Sequence, residues 1–179
     1  MPAHPLVFPL PCSSMPPLRL ITTFGLGFMR PASGTWGSLP PPIVAVALYF
    51  GGYGPGQHPW VFNGVMLAIM LLFAFACVKD GDDAERRWGH DPKEVVADET
   101  AGQCLPLLLL PASSMADVPT ALFTIQLAFL AFRAMDIAKP WPCMRLQRIP
   151  GGWGILLDDL VAGLYAAAIV QIAAAVGLG

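Results

Sequence analysis

Phe132-Arg-Ala-Met-Asp-Ile-Ala-Lys139-Pro-Trp-Pro-Cys-Met-Arg-Leu-Gln-Arg-Ile-Pro150-Gly-Gly-Trp-Gly-Ile-Leu-Leu-Asp158-Asp159-Leu-Val-Ala-Gly163 joins two apolar runs through a charged, Pro- and Gly-rich connection. Asp136 closes an apolar run that arrives from the N-terminal side, flanked by Arg133 and Lys139. Asp158 and Asp159 open a second apolar run that carries no further charge to the C-terminus. Charges at the ends of apolar helices cost several kcal/mol if left dry and unpaired. The stretch therefore reads as a charged site at a membrane surface, entered and left by transmembrane helices.

Composition agrees. The 179 residues are 55% hydrophobic and only 12% charged, about half the charged share of an average soluble domain. Mean hydropathy is +0.60 over the whole chain. Length predicts one domain over 19–179, preceded by a poorly ordered Pro- and Ser-rich arm over 1–18. Cys12, Cys77, Cys104 and Cys143 lack zinc or redox spacing and read as unpaired thiols. No basic tract suggests a nucleic-acid partner.

Outward from the central stretch, the expectation is an all-α membrane bundle of four to five helices. Trp60 to Val78 has no charged side chain and is long enough to span. Thr120 to Ile137 and Ile155 to Leu178 are two more spans, the latter with Asp158 and Asp159 in its first turn. The runs 39–50 and 101–110 are short and read equally as spanning or re-entrant; the second, extended back to Pro92, would carry Asp98 and Glu99 at the boundary. The residues over 19–38 read as loop-rich, and those over 79–94 as a solvated surface loop.

The arrangement of basic residues gives the orientation. Segments 19–38, 79–99 and 133–154 hold two, four and four Lys or Arg, all ten in the chain, and the intervening turns hold none. By the positive-inside rule these segments face the cytoplasm. Asp98, Glu99, Asp136, Asp158 and Asp159 then share one boundary with Arg133 and Lys139. Arg133 and Asp136, and Asp136 and Lys139, are spaced i,i+3 and share a helix face. Five carboxylates against two cations leave an excess of negative charge that a divalent metal would relieve. With no His or Cys in the set, all five are candidate ligands of Mg²⁺ or Mn²⁺. Such ions commonly take phosphate oxygens too, which makes Arg133 and Lys139 candidate phosphate counter-charges.

Gly34, Thr35 and Ser38, in Ser33-Gly-Thr-Trp-Gly-Ser38, form a second constellation: small residues and hydroxyls before an apolar run, a candidate anion cradle. Gly151, Gly152 and Gly154 offer a similar backbone beside Asp158. The run Asp80-Gly-Asp-Asp-Ala-Glu85-Arg86 is similar to the opening of the CDP-alcohol phosphotransferase signature, but Glu85 stands where Arg belongs and the second half is missing. A small cation or solute transporter is the other alternative, although its carboxylates would sit near the bilayer midplane.

Three blocks together resemble the phosphatidylglycerophosphatase A family: Gly34-Thr-Trp-Gly-Ser-Leu39; Asp98-Glu99 with Gly102; and the Arg133–Gly163 run with its Lys-Pro-x-Pro, Gly-Gly-x-Gly and Asp-Asp-x-x-Ala-Gly elements. The resemblance covers about 19–165. It implies a Mg²⁺-dependent hydrolase of the cytoplasmic (inner) membrane that converts phosphatidylglycerophosphate to phosphatidylglycerol, with a phospholipid in the bilayer as partner. On this reading the five acids are the catalytic and metal residues, and Arg133, Lys139, Gly34, Thr35 and Ser38 contact substrate. Two places depart from the family pattern: Ser33 stands where a Pro is expected, and Thr100 and Ala101 where bulkier apolar residues are expected.

Overall fold

The computed structural model describes residues 20–177; the expected N-terminal arm lies outside the described residues. Seven α-helices are present: α1 (Ser33–Ser38), α2 (Pro40–Phe50), α3 (Pro59–Trp88), α4 (Ala97–Cys104), α5 (Val118–Ala138), α6 (Cys143–Leu146) and α7 (Gly152–Ala175), with no strand among the described residues. Three of them, α3, α5 and α7, are long and apolar enough to cross a membrane. The all-helical membrane bundle read from the sequence is the observed fold.

Local chemistry sets the helix ends. Pro59 and Pro119 occupy first-turn positions of α3 and α5, where a missing N–H costs nothing. Asp117 caps α5 by accepting from the Thr120 N–H at 2.9 Å. At the other end of α5, Lys139 adopts a left-handed conformation that stops the helix. Helix α7 begins at Gly152, three residues earlier than expected, so Asp158 and Asp159 lie in its second turn and not its first.

One expectation is overturned. Residues 79–88 are not a surface loop but a continuation of α3, which at 30 residues is about 45 Å long. Its charged part keeps a buried face of Gly81 and Ala84, and Gly81 packs directly on the backbone of Gly152. Only 89–96 is non-helical. Nor is 19–38 merely loop: it contains a 3₁₀ segment, Thr23–Phe28, and α1, which runs almost directly into α2.

The chain crosses the bundle in five legs. Because the end of α3 meets the start of α7, the start of α3 lies at the opposite end, and α1–α2 must carry the chain there. The third leg is irregular. Helix α4 has only 8 residues, then breaks into a 3₁₀ turn over Leu105–Leu107 and an extended Leu108. Backbone freed by that break finds side-chain partners: Leu109 N–H donates to Asn63 Oδ1 at 2.7 Å, and Gln171 Nε2 donates to Leu109 O at 2.9 Å. Irregular backbone in a bundle is tolerated where neighbouring helices satisfy it in this way. The 101–110 run is therefore a broken leg inside the bundle rather than a long helix.

Glycines bring α4 and α7 together. A Cβ on Gly102 would come within 2.7 Å of Asp159 O, and one on Gly163 within 2.5 Å of Gly102 O and 2.9 Å of a Leu105 methyl. Gly163→Leu is expected to destabilise the protein by about 1–3 kcal/mol through overpacking, seen as a lower thermal midpoint in detergent. Gly64→Ala, on α3 with nothing within 4 Å of its added Cβ, is expected to leave that midpoint unchanged or raise it.

Candidate active site

The charged ends of α4, α5 and α7 meet at one end of the bundle. Helix α4 is fixed there by the N–H groups of Val96 and Ala97, which both donate to Ile21 O (3.1 and 3.2 Å), and by Thr100 Oγ1, 2.7 Å from Gly37 O and 3.0 Å from Thr23 Oγ1. Its first turn presents Asp98 and Glu99, which the partial positive charge of a helix N-terminus favours. Helix α7 presents Asp159 to the same point. One carboxylate oxygen from each of Asp98, Glu99 and Asp159 lies within 4.8 Å of the others.

Each of these carboxylates has a buried, unpartnered oxygen. Asp98 is 7% exposed and Asp159 3%. No hydrogen-bond donor reaches Asp98 Oδ1, Glu99 Oε2 or Asp159 Oδ2 among the described residues. Two like charges 4 Å apart repel by about 4 kcal/mol at an effective dielectric near 20, so the trio needs protons or a cation. Burial, then the charges of Glu99 and Asp159, push the Asp98 carboxyl well above the usual carboxylate range. Burial likewise pushes Glu99 up to about 7, against the lowering effect of its bond to Asp98 and of Arg133. Three converging carboxylates with unpartnered oxygens and no sulfur or imidazole fit a hard divalent cation.

Asp136 and Asp158 sit beside the trio, each tied to a cation. Arg133 Nη1 donates to Asp136 Oδ2 at 2.6 Å and reaches Ser38 Oγ at 3.3 Å. Lys139 Nζ donates to Asp158 Oδ2, also at 2.6 Å. The expected Asp136–Lys139 helical pair does not form, because the left-handed turn at Lys139 carries its side chain across to α7. All five acids and Lys139 line a single cavity of about 170 Å³.

The Ser33–Ser38 motif supports this cavity from behind instead of forming a loop of free N–H groups. It is helical, and the Thr35 N–H already donates to Ala32 O at 3.0 Å. Gly34 lies where any Cβ would strike Glu99 Oε1 and approach the Arg133 guanidinium nitrogens to 3.0 and 3.1 Å. Ser38 Oγ donates to Gly34 O at 2.7 Å and accepts from Arg133. Neither Gly34, Thr35 nor Ser38 is among the residues lining the cavity; Ser33 is, and its Oγ donates to Lys93 O at 2.8 Å. The second glycine stretch is also occupied, since Gly151 and Gly152 donate their N–H groups to Glu85 and Asp82.

Sequence reading missed Asp91 and Lys93, which complete the cavity wall from the segment after α3. Asp91 is held in a left-handed conformation (φ +50°) and accepts from Gln147 Nε2. Their only advance signal is proximity to Asp98 beyond a Pro, which a charged surface segment shares.

The phosphatidylglycerophosphatase A family model matches residues 19–174. A Bacteroides thetaiotaomicron protein provisionally named a phosphatidylinositol-3-phosphatase is 34% identical over 158 residues, 88% of this chain and 92% of that protein. Two proteins named phosphatidylglycerophosphatase A are similar as well. The one from Haemophilus influenzae is 32% identical (88% of this chain, 89% of that protein), and the one from Escherichia coli 30% identical (84% and 79%). No solved structure matches the chain. The matched range takes in every leg of the bundle and all five acids, so the chain belongs to the phosphatidylglycerophosphatase A family.

Proposed function

We propose that this protein is a Mg²⁺-dependent lipid phosphatase that hydrolyses phosphatidylglycerophosphate to phosphatidylglycerol and inorganic phosphate at the cytoplasmic face of the inner membrane. The observation that carries the reading is the convergence of the Asp98, Glu99 and Asp159 carboxylates, each with an unpartnered oxygen, at one end of an otherwise apolar bundle. Family membership supports the phosphatase chemistry. The gathering of the nine basic residues among the described residues on the segments at that end supports the cytoplasmic orientation.

The residues divide the work. Asp98, Glu99 and Asp159 would hold the ion, with Asp136 and Asp158 alongside as its further candidate ligands. When bound, Mg²⁺ supplies charge neutralisation at the phosphoryl oxygens and acidifies water. Lys139, fixed by Asp158, lines the cavity and keeps positive charge next to the incoming phosphate without a rotamer search, and Arg133, fixed by Asp136, adds positive charge from behind the cavity wall. In the reaction a bond forms from a water oxygen to phosphorus as the bond from phosphorus to the glycerol oxygen breaks, and the proton the water gives up passes by way of a carboxylate to that glycerol oxygen. Asp136 and Asp158 each retain a second oxygen to orient that water and take its proton. The exposed apolar faces of α3, α5 and α7 (Leu71, Phe75, Phe123 and Leu164 among them) hold the acyl chains.

Purified protein in mixed micelles is expected to release phosphate from phosphatidylglycerophosphate with Mg²⁺ and to stop in excess EDTA. Release unaffected by the chelator would refute the metal-centred reading, and faster release from phosphatidylinositol 3-phosphate would transfer the same chemistry to the other headgroup. Asp158→Asn and Asp136→Asn are each expected to lower turnover by about 10²-fold or more while the thermal midpoint shows a folded protein.

Proton and metal compete for Glu99. Its folded carboxyl, at about 7, holds a proton that the unfolded chain releases near 4.5. The proton-linked stability of the metal-free protein is therefore complete below 4.5 and is lost as pH rises toward 7. Above 7 a divalent ion can replace that proton. The rise in thermal midpoint on adding Mg²⁺ is expected to be small at pH 5.5 and large at pH 8, and Glu99→Gln is expected to flatten that dependence.

A further inference from the structure

The charged continuation of α3 contributes no residue to the five-acid site, yet two of its acids are spent on α7. The N–H groups that open a helix have no partners within it, and α7 has no side-chain cap of its own. Gly151 N–H donates instead to Glu85 Oε2 at 2.9 Å, and Gly152 N–H to Asp82 Oδ1 at 3.3 Å. Asp82 and Glu85, spaced i,i+3, share one face of α3, and carboxylates at a helix N-terminus also complement its dipole.

The fit is made backbone to backbone. A Cβ on Gly81 would come within 2.7 Å of Gly152 N, and one on Gly152 within 2.8 Å of Cys77 C. Gly151 has φ +77°, and a Cβ there would run into the Asp82 carboxylate. Glu85 is steadied from its other side by His90 Nδ1 at 2.8 Å. Asp83, between the two, turns away to Arg86 on the surface.

We propose that Asp82 and Glu85 are positioning residues that clamp the start of α7 and thereby set Asp158 and Asp159 in the cavity. Those acids lie on the same helix about 10 Å beyond the clamp. The clamp also fixes the far end of the 139–151 connection, whose near end is the Lys139–Asp158 pair. The Asp-Gly-Asp-Asp-Ala-Glu run is on this reading a cap supplied in trans to α7 and not a nucleotide site. The inference rests on the proposed phosphatase reading for its catalytic consequence and on the hydrogen bonds for the clamp itself.

The test compares full-length Asp82→Ala/Glu85→Ala with wild type in lipid micelles. The double variant is expected to lose about 10- to 100-fold in kcat, with KM for the lipid within about twofold and faster amide exchange at 151–155 but not in α5. Gly151→Ala, which disturbs the same contact from the α7 side, is expected to show the same pattern. Glu85→Gln keeps an acceptor for the Gly151 N–H and is expected to recover most of the kcat; equal losses in Glu85→Gln and Glu85→Ala would overturn the hydrogen-bond clamp. Faster exchange at unchanged kcat would overturn the positioning role, and unchanged exchange the clamp. If the double variant does not fold, the single Asp82→Ala, which loses the longer bond, is read the same way. Should wild type release no phosphate at all, the phosphatase reading fails by itself. Exchange and Mn²⁺ affinity, expected to weaken about tenfold in the double variant, then decide the clamp.

Discussion

Mutual repulsion among Asp98, Glu99 and Asp159 has to be overcome by everything packed around them. Three carboxylates, buried or half-buried, with oxygens within 4.8 Å of one another cannot all be charged without a compensating ion. A chain that keeps them together must spend other interactions on holding the helices in place. It does so with glycine contacts that remove any slack between α4 and α7, and with a hydroxyl pair, Thr23 and Thr100, that fixes where α4 begins. The two acids nearest the trio are neutralised within the protein, Asp136 by Arg133 and Asp158 by Lys139. What remains is a local deficit of positive charge, confined to three residues.

The broken third leg follows from the same constraint. A straight 20-residue helix would carry its first turn out to the membrane surface, where carboxylates are hydrated. Helix α4 is short and almost wholly buried, so its N-terminus, and the two acids favoured by its dipole, lie inside the protein. The remaining distance is covered by 3₁₀ and extended backbone at modest cost, because Asn63 and Gln171 supply the missing partners at Leu109.

Much of this was legible in sequence, for reasons that also explain the misses. Charge-free runs such as 60–78 announce spans because length and apolarity suffice. Acids at the ends of such runs announce a site because nothing else accounts for them, and all five acids named from sequence do line one cavity. Residues 79–88 were illegible as helix because their buried face is Gly81 and Ala84, which add almost nothing to a hydrophobic pattern, while the charges around them mimic a loop. Lys139 was given the wrong partner because i,i+3 spacing holds only while the helix lasts, and it stops at that residue. Gly34 reads in sequence as part of an anion cradle, whereas its value is the side chain it lacks: Arg133 and Glu99 occupy that space. Asp91, Lys93, Asp82 and Glu85 matter through partners 56 to 70 positions away, and such distances leave no local trace.

The two departures from the family pattern are accommodated by one exchange, packing or rigidity for hydrogen bonds. A Pro at 33 would stiffen the approach to α1; Ser33 instead uses its hydroxyl to hold Lys93 O, tying α1 to the segment that walls the cavity. A bulky apolar residue at 100 would fill the space between α4 and α1 by volume. Thr100 spans it with contacts to Gly37 O and Thr23 Oγ1. Ala101, the other small replacement, is fully buried in the cluster formed with Phe73, Cys77, Ile155 and Leu156, where its size lets α3 and α7 approach α4. Hydrogen bonds in a buried setting are directional in a way apolar packing is not, so these exchanges fix the rotation of α4 about its axis. That rotation is what points Asp98 toward α7 and Glu99 toward Arg133, and a helix free to turn by even one residue would separate the trio.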